Sequence, residues 1–300
     1  MYNSNNFDKF ELLEFDTIKD LLSLSCLVYN FNININITRD SSNNYDLNKL
    51  DISNLKINNK RKLQLNEILT NSPNAELYKF YDLPSGTQIG TTISHVNKRI
   101  TFVFRGSNQL KDWLHDFLIC KKHIKDNVYV HLGFYKSLHQ NNLFNNLLED
   151  YKELIKKYND YDVYITGHSL GGGLSTLFGY LLSYETTKNI TVVSFASPRI
   201  GNREWSEDFN NKSNLRLYRV VNKRDIVTSV PYVYFYHTGN YIYIDDNKEM
   251  IYTISDLFMD YSNFIKSFNP FDHLIENYYT NLLICKWNNS QNHEEIKELL

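Results

Sequence analysis

Gly167-His168-Ser169-Leu170-Gly171 follows a short β-branched and aromatic run, Asp162-Val163-Tyr164-Ile165-Thr166, and leads into small residues. The run before it reads as a strand and the residues after it as the start of a helix. The chain therefore has to pass from extended to helical backbone within a few residues. Gly167 and Gly171 remove Cβ atoms where so sharp a turn would clash. Ser169 at the apex would be held off the sheet with its Oγ exposed to reactants, the setting of a nucleophile elbow. The ordinary alternative is a Gly-rich turn that contains a Ser. The stretch is not a P-loop, because it lacks a Gly-Lys-Ser or Gly-Lys-Thr ending, and Gly171-Gly172-Gly173 does not make a G-x-G-x-x-G.

Similar alternation extends on both sides of the elbow. Residues 15–29 predict a helix, with Ile18, Leu21, Leu22, Cys26 and Leu27 near a 3.6-residue period. Phe31, Ile33, Ile35 and Ile37 alternate with Asn and predict a short strand, whereas 50–69 carries mixed signals. Residues 77–83 and 88–95 predict strands separated by Pro84-Ser85-Gly86, and 99–104 is a stronger strand run. Helical spacing runs from 135 to 158, and further strands are expected at 190–195 and 215–222. Strands alternating with helices indicate an α/β domain rather than an all-β sandwich. With no repeat or linker between 76 and 279, residues 1–300 read as one domain. Its core spans 76–280, and roughly 1–75 is expected to be a helix and an Asn-rich elaboration packed on that core. The tail at 294–300 reads as a short helix.

Charge and cysteine usage narrow the partners. Lys plus Arg number 32 against 34 Asp plus Glu, a formal net charge of -2, which argues against nucleic acid. Residues 1–15 have no basic region followed by an apolar run, and no apolar stretch is long enough to span a bilayer. Cys26, Cys120 and Cys285 are odd in number and lack metal-ligand spacing, which favours a cytoplasmic or intracellular setting. Secretion of a processed precursor stays open.

A neutral Ser hydroxyl needs a base to take its proton, and the base, a His, needs a carboxylate to fix its tautomer. In α/β hydrolases these partners follow the Ser in the order acid, then His. Asp225 fits the acid, just beyond the apolar run 215–221; its ordinary alternative is a surface charge pair with Arg224. His237, His273 and His293 follow it. His273 sits in Asn269-Pro270-Phe271-Asp272-His273-Leu274, a turn entering a helix, and His237 is the alternative base. His168 adjoins Ser169 and reads as a structural contact. The backbone N–H of Leu170, at a helix N-terminus, is placed to serve an oxyanion hole.

Thr101-Phe102-Val103-Phe104-Arg105-Gly106-Ser107, Asp112-Trp113, His131-Leu132-Gly133-Phe134, the Gly-rich turn at 167–172 and Ser197-Pro198-Arg199-Ile200-Gly201-Asn202 occur in this order. Together they closely resemble the class 3 lipase family of fungal and plant enzymes, over roughly residues 76–279. The resemblance implies an α/β-hydrolase fold with a mostly parallel central sheet, flanking helices and a short helical lid. It also implies esterase or lipase chemistry; with a Ser-His-Asp triad working through an acyl-enzyme, the reading is a carboxylic ester hydrolase, a lipase cleaving acylglycerols, that needs no metal or organic cofactor. A phospholipase or lysophospholipase is one alternative, and a non-catalytic lipid-binding or signalling protein on the same fold is another.

Within this resemblance the segment 219–227 is similar to the family's acid segment and favours Asp225, although Thr228 stands where a proline is often found. Asp272-His273 followed by Tyr278-Tyr279 favours His273. Ser107 becomes the second oxyanion donor beside Leu170, with a local turn role as its alternative, and Arg105 is expected to anchor that loop. Leu110, Trp113, Leu114 and Phe117 have i, i+3, i+4, i+7 spacing and occupy the region of the family's lid. Such a stripe would cover an acyl pocket and contact a lipid or membrane surface transiently. A permanently packed surface helix is its alternative. The expected partner is an ester lipid.

Overall fold

Runs of β-branched and aromatic residues with polar borders set the strands in this protein. The computed structural model describes residues 13–31, 45–50, 52–53, 55, 57–71, 74–107, 120–231, 233–245, 247, 250–253 and 269–285. Its strands are β1 (Tyr45–Asp46), β2 (Glu76–Asp82), β3 (Gln88–Ser94), β4 (Arg99–Phe104), β5 (Lys121–Lys125), β6 (Val128–His131), β7 (Asp162–His168), β8 (Ile190–Phe195), β9 (Leu215–Asn222), β10 (Asn240–Ile244) and β11 (Met250–Thr253). Nine form one sheet in the order β1-β2-β3-β4-β7-β8-β9-β10-β11, and β5 pairs with β6 in a separate hairpin. The five consecutive strands β4, β7, β8, β9 and β10 are parallel. Antiparallel strands flank them on both sides.

The helices are α1 (Phe15–Leu27), α2 (Asn59–Thr70), α3 (Leu132–His139), α4 (Leu143–Lys157), α5 (Leu170–Leu182), α6 (Arg203–Asn210) and α7 (Ile275–Ile284). The pleat divides each strand between two layers. In β9, Leu215 and Leu217 join one apolar cluster and Tyr218 and Val220 join the other. The first cluster also holds Phe134, Leu154, Phe178 and Trp205 from α3, α4, α5 and α6. The second holds Leu21 and Leu22 of α1, Leu65 and Ile68 of α2, and Tyr278 and Leu282 of α7. Each such Leu contributes about 1.5–3 kcal/mol by leaving water, so α1 is a working layer of the core. The result is an α/β-hydrolase fold.

Several local expectations change. Residues 135–158 form two helices, because Asn141 (φ 50°) and Asn142 (φ 60°) turn the chain through left-handed backbone between α3 and α4. Asn tolerates that region better than most residues, so the apolar period runs on across a real break. Phe31 is helical in backbone and packs edge-on against Phe80 at 5.7 Å, so it begins no strand; residues 33–37 lie outside the described residues. Helix α2 occupies the mixed segment, capped by Asn58 Oδ1, which accepts from Arg61 N at 2.8 Å. The candidate lid residues Leu110, Trp113, Leu114 and Phe117 lie outside the described residues, as does the tail at 294–300. Among the described residues no helix is long and apolar enough to cross a membrane.

Candidate active site

Strand β7 ends at His168 and α5 begins at Leu170, leaving Ser169 alone at the turn with φ 59° and ψ −125°. A non-Gly residue held there stores strain, and the surroundings enforce it. Ser169 N donates to Phe195 O of β8 at 2.9 Å. A Cβ on Gly167 would lie 2.4 Å from Gly171 O, and one on Gly171 would lie 2.2 Å from Phe104 O. Both contacts are with backbone, so neither position accepts a side chain without moving a strand.

Asp225 follows β9 and caps the short 3-10 turn Ile226–Ser229, where its Oδ1 accepts from Val227 N at 3.0 Å. His273 ends another 3-10 turn, Pro270–His273, which is started by Asn269 Oδ1 accepting from Phe271 N at 3.1 Å. The two loops are pinned together. Asn222 Nδ2 donates to Asp272 O at 2.9 Å, and Arg224 N donates to Asp272 Oδ2 at 3.3 Å. Asp272 is thus a clamp between loops, while Asp225 is the carboxylate that meets the imidazole.

His273 joins the other two groups. Its Nδ1 lies 2.9 and 3.0 Å from the two Asp225 carboxylate oxygens, and its Nε2 lies 2.9 Å from Ser169 Oγ. A carboxylate only accepts, so Nδ1 carries the proton and Nε2 presents a lone pair to the Ser hydroxyl. All three side chains are buried. Tyr278 OH donates to Asp225 Oδ2 at 2.7 Å; burial, with the Asp225 charge, pushes that phenol well above its ordinary range and keeps it a donor.

The loop after β4 comes beside Ser169. A Cβ on Gly106 would stand 3.3 Å from Ser169 Cβ, so Ser107, the next residue, is near the elbow. Arg105 ties this loop to β3: its backbone N donates to Gln88 O at 2.9 Å and its guanidinium to Gln88 Oε1. Leu170 N is the first amide of α5, at the positive end of the helix. His237 has another engagement: its Nε2 donates to Thr228 O, and its carbonyl accepts from Ser206 Oγ at 2.6 Å. His168 donates through Nε2 to His273 O at 2.9 Å.

Three residues around the site went unassigned in the sequence. Tyr278 stood in a quoted motif without a role, Asn222 closed a strand run, and Tyr29 is one of 23 tyrosines. No local signal marked Tyr29; the polar Asn at the end of an apolar strand was the readable hint for Asn222.

Residues 101–235 match the family described as Lipase (class 3). The chain is similar to the lipase of Rhizomucor miehei, 29% identical over 189 residues that cover 60% of this chain and 51% of the relative. It is also similar to the secreted mono- and diacylglycerol lipase A of Penicillium cyclopium, 26% identical over 157 residues, half of each chain. The chain thus spans about half the length of the curated relatives it matches. The solved structure of Rhizomucor miehei triacylglyceride lipase superposes with a TM-score of 0.69 at 22% identity, covering 86% of this chain and 92% of that one. At that identity the likeness bears on the fold.

The secreted Penicillium relative overturns the expectation of a cytoplasmic or intracellular setting. Cys26, Cys120 and Cys285 form no disulfide. In a chain with two large apolar clusters that fact does not report a compartment, because a core of this size is stable without the cross-links that small secreted domains need. Its ordered motifs and its elbow thus place residues 101–235 with the class 3 lipase family, on a sheet with the α/β-hydrolase arrangement.

Proposed function

We propose that this protein is a carboxylic ester hydrolase that cleaves acylglycerols at Ser169. The observation that carries the reading is His273, hydrogen-bonded through one ring nitrogen to Ser169 Oγ and through the other to Asp225. As substrate binds, His273 Nε2 takes the Ser169 proton while Oγ attacks the ester carbonyl. The resulting imidazolium faces the Asp225 carboxylate, which stabilises its charge without accepting the proton. His273 then protonates the departing alcohol, leaving an acyl-Ser169 that water, activated by the same ring, hydrolyses.

Negative charge on the carbonyl oxygen would meet Leu170 N–H, at the start of α5, and the backbone N–H of Ser107. One donor of this kind is worth about 3 kcal/mol in the transition state. Ser107 and Leu170 are accordingly the oxyanion donors of this reading, and Arg105 holds the loop that carries Ser107. Residues 1–300 act as one domain, with α1 and α2 completing the layer behind the site. The substrate class follows the names of the similar lipases, as does a secreted setting.

A panel of mono-, di- and triacylglycerols, phospholipids and lysophospholipids, run with wild type and Ser169→Ala, tests the reading. Release of fatty acid from acylglycerols, lost in Ser169→Ala, is expected. Preferential release from phospholipids would move the substrate assignment to a phospholipase. Hydrolysis that persists in purified Ser169→Ala would overturn the mechanism, and a folded wild type with no hydrolysis of any ester would favour lipid binding without catalysis.

A further inference from the structure

We propose that Tyr29 is a positioning residue for the general base: its hydroxyl fixes the His168 tautomer that grips the main chain of His273. The inference rests on the triad reading and adds to it a residue from the N-terminal layer, which carries none of the triad.

Tyr29 lies in the 3-10 turn Val28–Asn30 that ends α1. Its OH is 3.2 Å from His168 Nδ1, and His168 Nε2 is 2.9 Å from the backbone oxygen of His273. A carbonyl oxygen can only accept, so Nε2 must carry a proton for this contact to hold. Burial, together with the neighbouring His273 and Arg61, pushes the His168 imidazole well below the ordinary His range and keeps it neutral. A neutral ring has one N–H, so His168 Nδ1 is an acceptor and the Tyr29 hydroxyl is its donor. Removing that donor leaves the Nδ1 lone pair without a buried partner and releases the preference for the Nε2-H form. The other tautomer would turn a bare lone pair toward the His273 carbonyl.

That carbonyl belongs to a short turn whose register decides whether His273 Nε2 stays 2.9 Å from Ser169 Oγ. Reaction geometry is steep in this distance: a displacement of about 1 Å costs on the order of 100-fold. Tyr29 is itself held from several sides. The guanidinium carbons of Arg61 and Arg105 each lie 5.4 Å from its ring centroid, from α2 and from the oxyanion loop respectively. Arg61 pairs with Glu276 of α7 at 3.4 Å, three residues beyond His273. A Cβ on Gly106 would come within 2.3 Å of the Tyr29 hydroxyl, so the same oxygen also packs against the loop that carries Ser107. One phenol therefore touches the elbow and the oxyanion loop, and through His168 it reaches the base.

The test is a cycle of Tyr29→Phe, His168→Gln and the double variant, assayed on a soluble short-chain ester, with Tm measured for each. Phe removes only the hydroxyl. Gln places an amide N–H about as far from its Cα as His Nε2 and needs no partner to fix a tautomer. In the otherwise wild-type enzyme, Tyr29→Phe is expected to lower kcat about tenfold, roughly the worth of one buried hydrogen bond, with KM within about twofold. In the His168→Gln background, adding Tyr29→Phe is expected to change kcat less than about twofold. An equal loss in both backgrounds would assign Tyr29 a general packing role and overturn the proposal, as would a Tyr29→Phe enzyme with wild-type kcat. If His168→Gln fails to fold, Tyr29→Phe alone decides through its kcat and its rate of labelling by a fluorophosphonate. That probe also separates the two readings. A wild type that it leaves unlabelled at Ser169 sinks the triad itself, whereas equal labelling rates for wild type and Tyr29→Phe sink only the role of Tyr29.

Discussion

Replacing Asp225 by Asn removes one charge and one acceptor atom from the site while nearly preserving shape. The neighbours dictate how the amide sits. Val227 N donates to Oδ1 at 3.0 Å and cannot accept, so the amide oxygen takes that place. The amide nitrogen then takes the Oδ2 position, 2.7 Å from the Tyr278 hydroxyl, which can rotate to accept. His273 Nδ1 is left 2.9 Å from the oxygen position and 3.0 Å from the nitrogen position, so the useful tautomer survives in part. The main loss is the charge opposite the imidazolium. A unit pair about 4 Å apart at an effective dielectric constant near 20 interacts by about 4 kcal/mol, which corresponds to about 10³-fold in rate. In triads where the amide forces the wrong tautomer the loss is about 10⁴-fold. Steady-state hydrolysis of a soluble ester, each enzyme at its own optimal pH, should therefore give a kcat about 10³-fold below wild type with unchanged fold by Tm. A fall of less than about 30-fold would refute the claim that the Asp225 charge supports the His273 cation.

Gly171→Ala should destabilise the protein by at least about 3 kcal/mol, read by urea unfolding, because its Cβ would meet Phe104 O at 2.2 Å inside the sheet. Wild-type stability there would contradict the close approach of β4 and α5. His237→Ala should keep kcat within about threefold when assayed as above, since His237 is engaged with Thr228 O and not with Ser169; a loss as large as that of His273→Ala would exchange their roles. Burial pushes the Asp208 carboxyl up, but hydrogen bonds from Tyr184, Lys125 and Tyr180 outweigh it and hold the group down at about 2. A depressed carboxyl stabilises the fold above its unfolded pKa of about 4 and loses that effect as pH falls through the folded value. Asp208→Asn should thus lower Tm at neutral pH, with the deficit closing from about pH 4 downward. A deficit independent of pH would show that the carboxylate charge is not its source.

Strands were legible where the sequence carried both pattern and borders. Arg99–Phe104, Ile190–Phe195 and Leu215–Asn222 appear with the bounds their residues suggest, because each is a β-branched or aromatic run closed by polar sequence. Asn240–Ile244 carried a similar tyrosine and isoleucine run and went unassigned, lying beyond the last clear α/β unit. Helix α2 was obscured because only Leu65 and Ile68 are buried on an otherwise polar surface. The elbow was readable since its chemistry and its backbone demands fall within five consecutive residues. Its partners were legible in chain order only. His273 meets Asp225 across 48 positions and Ser169 across 104, separations that only the sheet closes. Tyr29 was invisible for the same reason: its contact with His168 exists only once α1 has packed behind the elbow.

In the proposed mechanism Ser169 carries the acyl group. Acid-quenching the enzyme in the steady state with a p-nitrophenyl fatty ester, then measuring intact mass and mapping the adduct by peptide fragmentation, tests it directly. An added acyl mass is expected on Ser169 alone, absent from Ser169→Ala and formed far more slowly by His273→Ala. Turnover without any adduct at Ser169, or an adduct on another residue, would contradict it.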